Sequence, residues 1–180
     1  MCSGQNAESD NILNNRKKDI MNEYELFNEK TARFFGLFSS DKMLMKGDVI
    51  SVKGENFVVS NLMIPEDRKL RVAVWSARIL IPGDLKDIRF LHWIRQNLIG
   101  MNIRISRSDK SIEGVVINYN PEMMYLPPVS FKPHEEPKVY YAEQYPRRLK
   151  ILSRLTDDPV MIDILEYQTI NILAINCSFD

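Results

Sequence analysis

The chain has 180 residues, of which 44% are hydrophobic and 27% are charged; this is typical of a globular protein and excludes a collagen-like or wholly disordered chain. Lys and Arg together number 24, as do Asp and Glu, so no chain-wide positive field can hold nucleic acid by charge alone. Cys2 and Cys177 lie at opposite ends with no second ligand at zinc-site spacing, so the sequence predicts neither a metal site nor a cofactor.

Residues 1–17 predict a disordered tail, because they are polar and hold few side chains that a core could bury. They lack the apolar stretch of a signal peptide, and no later run reaches the roughly 20 apolar residues of a membrane span. We therefore expect a soluble protein of the nucleus, the cytoplasm or both, without a membrane partner.

Residues 18–83 are expected to form an amphipathic helix followed by a three-strand extension. Apolar side chains, including Phe27 and Phe34, recur at steps of three or four up to the helix end near Gly36, which is the spacing of one helix face. This aromatic face packs on its own domain or docks on another subunit. Three β-branched runs between residues 49 and 81 then predict a strand meander.

Residues 84–180 are expected to form the main β unit. Asp84, with Asp87 three residues later, is the candidate N-cap of a second helix that begins at Leu85 and ends at Gly100. The period of alternating apolar residues then returns, which predicts further strands. They are expected at 103–105, 112–119 and 123–129, and residues 160–179 are expected to form a pair of strands or one long bent strand. Turns are expected at 108–110 and 120–122, and a long inserted connection at 130–159, with a basic helix at 145–155.

Across residues 90–126 a helix, a hairpin, the mid-strand glycine of Ile112-Glu113-Gly114-Val115-Val116, a turn and a further strand follow one another. This order resembles the first motif of Sm and Sm-like proteins. Residues 163–175 are similar to the family's second motif, in which a strand, a tight turn and a closing strand complete the barrel. The resemblance implies a small, strongly bent β-barrel. Gly114 is its expected bend, because a sharply bent strand resists a side chain there.

The chain departs from the RNA-binding members of that family. Similarity would place an Asp, an apolar residue and a base-pinching Asn in the turn of the first motif, where this sequence has Asn120, Met123 and Met124, respectively, so the base-pinching Asn is missing. It would place an Arg-Gly pair in the second motif, at about the positions where this sequence has Tyr167, Gln168 and Thr169, so that pair is missing as well. A base pocket needs both a stacking plane and hydrogen-bonding groups. The resemblance is therefore to the Gemin-type members that pair with other subunits through sheet edges.

An OB fold is the alternative interpretation. Three strands between residues 49 and 81, a helix at 85–98 and two strands at 103–119 also follow the OB order. That fold would make the chain a subunit of a single-strand DNA-binding or telomere-capping complex. Both interpretations predict a mainly β protein with flanking helices and a small, strongly bent barrel that works by binding.

Local basic clusters are the candidate nucleic-acid contacts, because an aromatic beside Arg can stack bases; a solvated charged face is the alternative. The candidate partner contacts are the two phenylalanines of the first helix and three residues of the final strand, whose edge either pairs with another barrel or lies inside its own. The nucleic-acid candidates are Arg104, Arg107, Arg147, Arg148, Lys150, Arg154 and Tyr145, and the partner candidates are Phe27, Phe34, Ile170, Ile172 and Leu173.

Catalysis is not expected. His92 and His134 lack a nucleophile motif nearby, and no glycine-rich phosphate loop occurs. We expect a non-enzymatic subunit of a nucleic-acid-associated complex, as an Sm-like protein-pairing module in ribonucleoprotein assembly or, alternatively, as an OB-fold subunit. Its expected partners are other protein subunits, bound through sheet edges and the N-terminal helix, with RNA or single-stranded DNA as possible ligands.

Overall fold

The structure is a computed structural model that describes residues 21–63, 67–126 and 141–177. The predicted tail at 1–17 lies outside the described residues. The described chain is mainly β with little helix, and one of its sheets curls into a half-barrel. This confirms the mainly β class. No helix in the described segments is long and apolar enough to cross a lipid bilayer.

The first sheet has five strands in the order β2-β1-β5-β4-β3. Strands β1 and β5 run parallel, and the other neighbours pair antiparallel. The meander expected between residues 49 and 81 supplies three of these strands. The bounds are β1 Asn22–Asn28, β2 Phe34–Ser40, β3 Val49–Val52, β4 Glu55–Met63 and β5 Leu70–Ser76.

The predicted N-terminal helix is wrong, because its segment forms the hairpin of β1 and β2. Tyr24 and Leu26 are 2% and 0% exposed, so the buried positions alternate as they do in a strand. The hairpin turn begins at Asn28, whose carbonyl accepts a hydrogen bond from the Ala32 N–H at 2.7 Å. The spacing of the aromatic residues fits both the period of a helix and the period of a strand. The strand forms because β1 pairs with β5, which is distant in the sequence.

The second sheet has six strands in the order β10-β9-β8-β7-β11-β6, all paired antiparallel. One α-helix, α1 (Ile88–Asn97), precedes β7, and 3₁₀ turns occupy Asp84–Lys86 and Ile164–Glu166. The strand bounds are β6 Arg78–Leu80, β7 Asn102–Arg107, β8 Lys110–Leu126, β9 Tyr141–Ser153, β10 Pro159–Asp163 and β11 Thr169–Ala174.

Two local predictions in this half differ from the structure. No turn forms at 120–122, because β8 continues as a 17-residue strand. Its register against β9 shifts between Asn120 and Pro121, and such an irregularity accommodates a proline that cannot donate to the ladder. The basic segment expected to form a helix is part of β9, which also occupies much of the expected connection at 130–159.

The larger core lies between α1, the second sheet and one end of the first sheet. Asp87 caps α1, since its side chain accepts hydrogen bonds from the Arg89 and Phe90 N–H groups at 3.1 and 3.3 Å. Trp75 of β5 packs edge-on to Phe90 with ring centroids 5.2 Å apart. A smaller core is formed by the first sheet and includes Tyr24 and Leu26. The helix therefore fastens the two sheets together.

Candidate functional site

Most of the candidate nucleic-acid cations are neutralised by carboxylates. Arg104 of β7 donates to Glu113 of β8 at 2.8 Å, and Arg107 lies 2.9 Å from Asp109. Arg154 lies 3.8 Å from the same Glu113. These side chains are partly exposed, so each pair contributes little to stability. Each pair nevertheless neutralises an arginine charge that would otherwise be available to bind a phosphate group.

Arg147 lies in a network that joins β8, β9 and β10. Its Nε donates to Asp163 at 2.6 Å, and its Nη1 donates to the Tyr145 hydroxyl at 3.2 Å and lies 3.3 Å from Glu122. The hydrogen bond from Arg147 holds the pKa of Asp163 below its ordinary value, against the opposing effect of burial. The same bond, together with Tyr145, raises the pKa of Arg147. Arg147 and Tyr145 therefore hold strands together and do not form an open cationic surface.

Arg148 and Lys150 are the two candidate cations that remain without a carboxylate within 4 Å among the described residues. Both lie on β9 two positions apart, so they share one face of the sheet. Arg148 is exposed and Lys150 is half-buried. Two cations of this kind can contact about two phosphates, which is few for a nucleic-acid site.

The predicted partner contacts lie in two different environments. Phe27 and Phe34 stack edge-on across β1 and β2 with centroids 5.8 Å apart, and Phe34 is 54% exposed. Ile170 and Ile172 are instead buried in the larger core, while Leu173 is half-buried. Strand β11 pairs with β7 on one side and with β6 on the other. The final strand is thus internal, and its edge is not available to another chain.

Strand β6 closes this side of the second sheet, and side chains occupy its outer edge. The Leu80 N–H donates to the Asp84 carboxylate at 2.7 Å. The Arg78 N–H donates to the Ser76 hydroxyl at 3.2 Å, and that hydroxyl donates to the Arg78 carbonyl at 3.1 Å. Because these backbone groups already have partners, the β6 edge is blunted against strand addition.

Strand β10 forms the opposite edge of the second sheet. The Arg154 N–H donates to the Glu113 carbonyl and the Ser153 N–H donates to the Asp158 carbonyl. The direction of backbone hydrogen bonding alternates along a strand, so the odd-numbered residues of β9 bond to β10. Val160 lies opposite one of these residues, Ile151, and its backbone groups therefore point toward β9. The N–H and C=O of Met161 therefore point away from the sheet, and its side chain is 53% exposed.

A groove of about 390 Å³ runs beside this edge. Apolar and aromatic side chains, among them Ile112, Val160 and Tyr167, line part of it, and four charged residues line the rest: Lys110, Arg148, Asp163 and Glu166. Burial raises the pKa of the Tyr167 hydroxyl. An edge with outward backbone groups beside a groove of mixed apolar and charged lining is an arrangement that can accept an added strand.

Gly114 lies where β8 crosses between β7 and β9, opposite Ile103 and Ser153. A Cβ atom at this position would clash with the carbonyl oxygen of Leu152 and come within 2.6 Å of the Ile151 Cγ2. The nearest obstacle is backbone and cannot rotate away. The close approach of β9 to β8 at this position therefore depends on the absence of a side chain at Gly114.

Sequence reasoning missed both edges that bound the second sheet. Pro159 at the start of β10, a residue common on edge strands, was a signal for one of them. No local signal marked the β6 edge, because the sequence context of Asp84 indicates a helix cap, and its hydrogen bond from the Leu80 N–H becomes apparent only in the fold. Among the described residues no group of three His, Cys, Asp or Glu side chains could hold a metal ion.

Comparison with known proteins adds no relative. No protein-family model, no curated protein and no solved structure matches the chain. The class of protein therefore rests on the geometry described above: a curled antiparallel sheet with one blunted edge and one open edge, joined by a helix to a second sheet.

Proposed function

We propose that the chain is a non-enzymatic subunit of a nucleic-acid-associated complex, acting as an Sm-like protein-pairing module in ribonucleoprotein assembly in the nucleus or cytoplasm. The order of elements supports the proposal. Helix α1, the β7–β8 hairpin with Gly114 in β8, and then β10, the 3₁₀ turn Ile164–Glu166 and β11 follow the order implied by the resemblance.

The open edge of β10 is the observation that carries the proposal. Met161 directs its backbone N–H and C=O outward, beside the groove that Ile112 and Tyr167 line. An extended strand of a partner subunit can bond to these groups and place alternate side chains in the groove. The blunted β6 edge leaves β10 as the side of this sheet that pairs with a partner.

Charge favours a protein partner over direct contact with nucleic acid. Arg104, Arg107 and Arg147 each have a carboxylate within 3 Å. A bound RNA would have to displace those carboxylates, and the phosphate backbone would be repelled by them. The chain thus reaches nucleic acid through the subunits that it binds.

The strand pairing favours the Sm-like interpretation over the OB fold. The OB interpretation joins the strands between residues 49 and 81 with those at 103–119 in one barrel. In the structure β3, β4 and β5 belong to the first sheet, whereas β7 and β8 pair within the second. The OB fold is kept as the alternative, and the partners recovered in the test below distinguish it from the Sm-like interpretation.

The test compares Met161→Pro with Met161→Ala in tagged chains that are affinity-purified from cells with nuclease present. Proline removes the outward N–H of β10 without removing a bond to β9, and it obstructs an added strand. Alanine removes the same side chain but keeps the N–H. We expect Met161→Pro to lose its protein partners and Met161→Ala to retain them, at equal thermal stability.

Nuclease-resistant recovery of ribonucleoprotein-assembly subunits by the wild type supports the proposal. Recovery of single-strand DNA-binding or telomeric subunits would favour the OB-fold alternative. If Met161→Pro binds its partners as well as Met161→Ala does, the β10 edge is not the pairing surface and the proposal fails.

A further inference from the structure

The two sides of the β10 edge differ in chemistry. In the pairing of β9 with β10, Met161 lies opposite Lys150, and Asp163 lies opposite Arg148. Residues directly opposite each other in an antiparallel pair project from the same side of the sheet. These four residues therefore share one side, called the basic face below, whereas the even-numbered residues of β10 project from the other side.

That other side of β10 faces the larger core and is apolar. Val160 and Ile162 pack in this core together with Ile112 and Tyr167, and all four also line the groove beside the edge. A side chain that an added strand projects to the core side meets these apolar residues. Apolar side chains are favoured at that position, because they remove further apolar surface from water.

The basic face carries two cations that lack a carboxylate partner. Arg148 is exposed and Lys150 is half-buried, and neither has a carboxylate within 4 Å among the described residues. On the β8 side both lie opposite asparagines, which are uncharged. On the β10 side Asp163 is already bonded to Arg147 at 2.6 Å. The basic face therefore offers unpaired positive charge to a segment that lies outside β10.

A strand added to β10 lies within reach of both cations. Neighbouring strands of a sheet are about 4.8 Å apart, so a strand outside β10 lies about 9.6 Å from β9. Lys150 and a glutamate of the added strand can together span that distance over Met161. Side chains alternate between the two sides of a strand, so acidic residues that meet the basic face are separated by residues that meet the core side.

We propose that the partner segment that pairs with β10 is an extended protein strand in which acidic residues, on the basic face, alternate with apolar residues, on the core side. This partner chemistry rests on the proposed function, because it specifies what pairs with the same edge. A second copy of this chain does not offer such a strand at its described edges. Strands β2, β3 and β6 hold no acidic residue, and Asp163 of β10 is already paired.

The same surface fits a protein strand better than a nucleic acid. An extended peptide engages three features together, namely the two cations, the apolar core side, and the outward N–H and C=O of Met161. A nucleic acid would engage mainly the cations, which contact about two phosphates.

Two labelled synthetic peptides test the proposal by fluorescence anisotropy with the full chain. In one peptide Val alternates with Glu, and in the other Val alternates with Lys. The wild type should bind the Val–Glu peptide about tenfold more tightly than the Val–Lys peptide. Arg148→Gln/Lys150→Gln should abolish this preference, since it removes both cations without placing a new charge beside Asp163. Lys42→Gln/Lys46→Gln changes the net charge equally at exposed positions between β2 and β3, and this matched control should keep the preference.

A wild type that binds both peptides equally, or binds neither, overturns the acidic-strand proposal, as does an Arg148→Gln/Lys150→Gln variant that keeps the preference. A single-stranded oligonucleotide that binds the wild type more tightly than the Val–Glu peptide also overturns it, because the two cations would then serve phosphate groups.

Purification from cells separates this proposal from the proposed function. Arg148→Gln/Lys150→Gln should lose its protein partners as Met161→Pro does, and Lys42→Gln/Lys46→Gln should retain them. If Met161→Pro loses the partners and Arg148→Gln/Lys150→Gln retains them, β10 is the pairing edge and only the acidic preference is wrong. If Met161→Pro retains them, the proposed function itself fails.

Discussion

The Nε of Arg147 on β9 lies 2.6 Å from a carboxylate oxygen of Asp163 at the end of β10. The same oxygen accepts the Leu165 N–H at 3.0 Å and so caps the 3₁₀ turn that follows. One carboxylate thus joins the outer strand of the second sheet to its neighbour and fixes the chain's departure toward β11. Arg147, a candidate nucleic-acid contact from the sequence, is therefore paired with a carboxylate within the fold.

Asp163→Asn should lower the melting temperature by about 2–4 °C at neutral pH. The amide oxygen can still cap the turn at Leu165, so the variant removes mainly the charge that Arg147 pairs with. Glu122→Gln is the control, because Glu122 meets the same arginine from a more exposed position, and its effect should be smaller. Thermal unfolding followed by circular dichroism measures both; equal effects would contradict the assignment.

The Asp163 effect should depend on pH in a defined direction. Its pKa is lower in the folded chain than its ordinary value of 3.8, so the unfolded state binds the proton more readily. The stabilisation is therefore complete above that ordinary value and is lost as the pH falls through the folded pKa. The difference in melting temperature between wild type and Asp163→Asn should be fully present above pH 3.8 and should shrink as the pH falls below that value.

Gly114→Val should destabilise the fold by about 3 kcal/mol or more, because a side chain at this bend meets the backbone of Leu152. Gly83→Ala is the control. Gly83 has ordinary helical dihedral angles, and its added Cβ would lie 3.9 Å from the nearest atom, so alanine should be neutral or stabilise slightly. Urea unfolding curves of the two variants provide the comparison, and a Gly114→Val chain as stable as wild type would refute the bend.

Direct binding of a single-stranded oligonucleotide should be weak and should rely on Arg148 and Lys150. Two phosphate contacts give a log–log salt slope of roughly −1.4, at roughly −0.7 for each contact on a single strand. The Arg148→Ala/Lys150→Ala variant should lose this binding, whereas Arg104→Ala should retain it because Arg104 is paired with Glu113. Fluorescence anisotropy across salt concentrations measures the slope; a slope steeper than about −3 would indicate a nucleic-acid surface.

The sequence correctly predicted the elements that depend on local chemistry. Helix α1 could be predicted because its apolar residues recur at helical spacing, but its start was predicted too early: the cap is Asp87 and not Asp84, and the helix begins at Ile88 and not at Leu85. The β-branched runs between residues 49 and 81 predicted strands for a similar reason. Gly114 was identifiable as a position without room for a side chain, because a glycine inside a strand often marks a close approach of two backbones. Each of these signals acts over a few residues, which is the range that a sequence pattern reports.

The hairpin of β1 and β2 could not be predicted in the same way. Its aromatic residues fit a helical spacing as well as a strand, and the outcome depends on pairing with β5, more than 40 residues away, where Tyr24 lies opposite Leu70. The basic segment of β9 was ambiguous for the same reason. Long-range hydrogen bonding and burial override a local preference when both periods are present.

By itself, the amino-acid sequence determined that this protein is mainly β, that a helix precedes the hairpin of β7 and β8, and that Gly114 must remain without a side chain. Only the tertiary structure decided which strands lie at sheet edges and which cations are paired. Edge position is a property of the whole pairing order, since β11 became internal through β6 and β10 remained outermost. The charge available at Arg147 likewise depends on Asp163, because a carboxylate 16 residues away in sequence is brought to it by the fold.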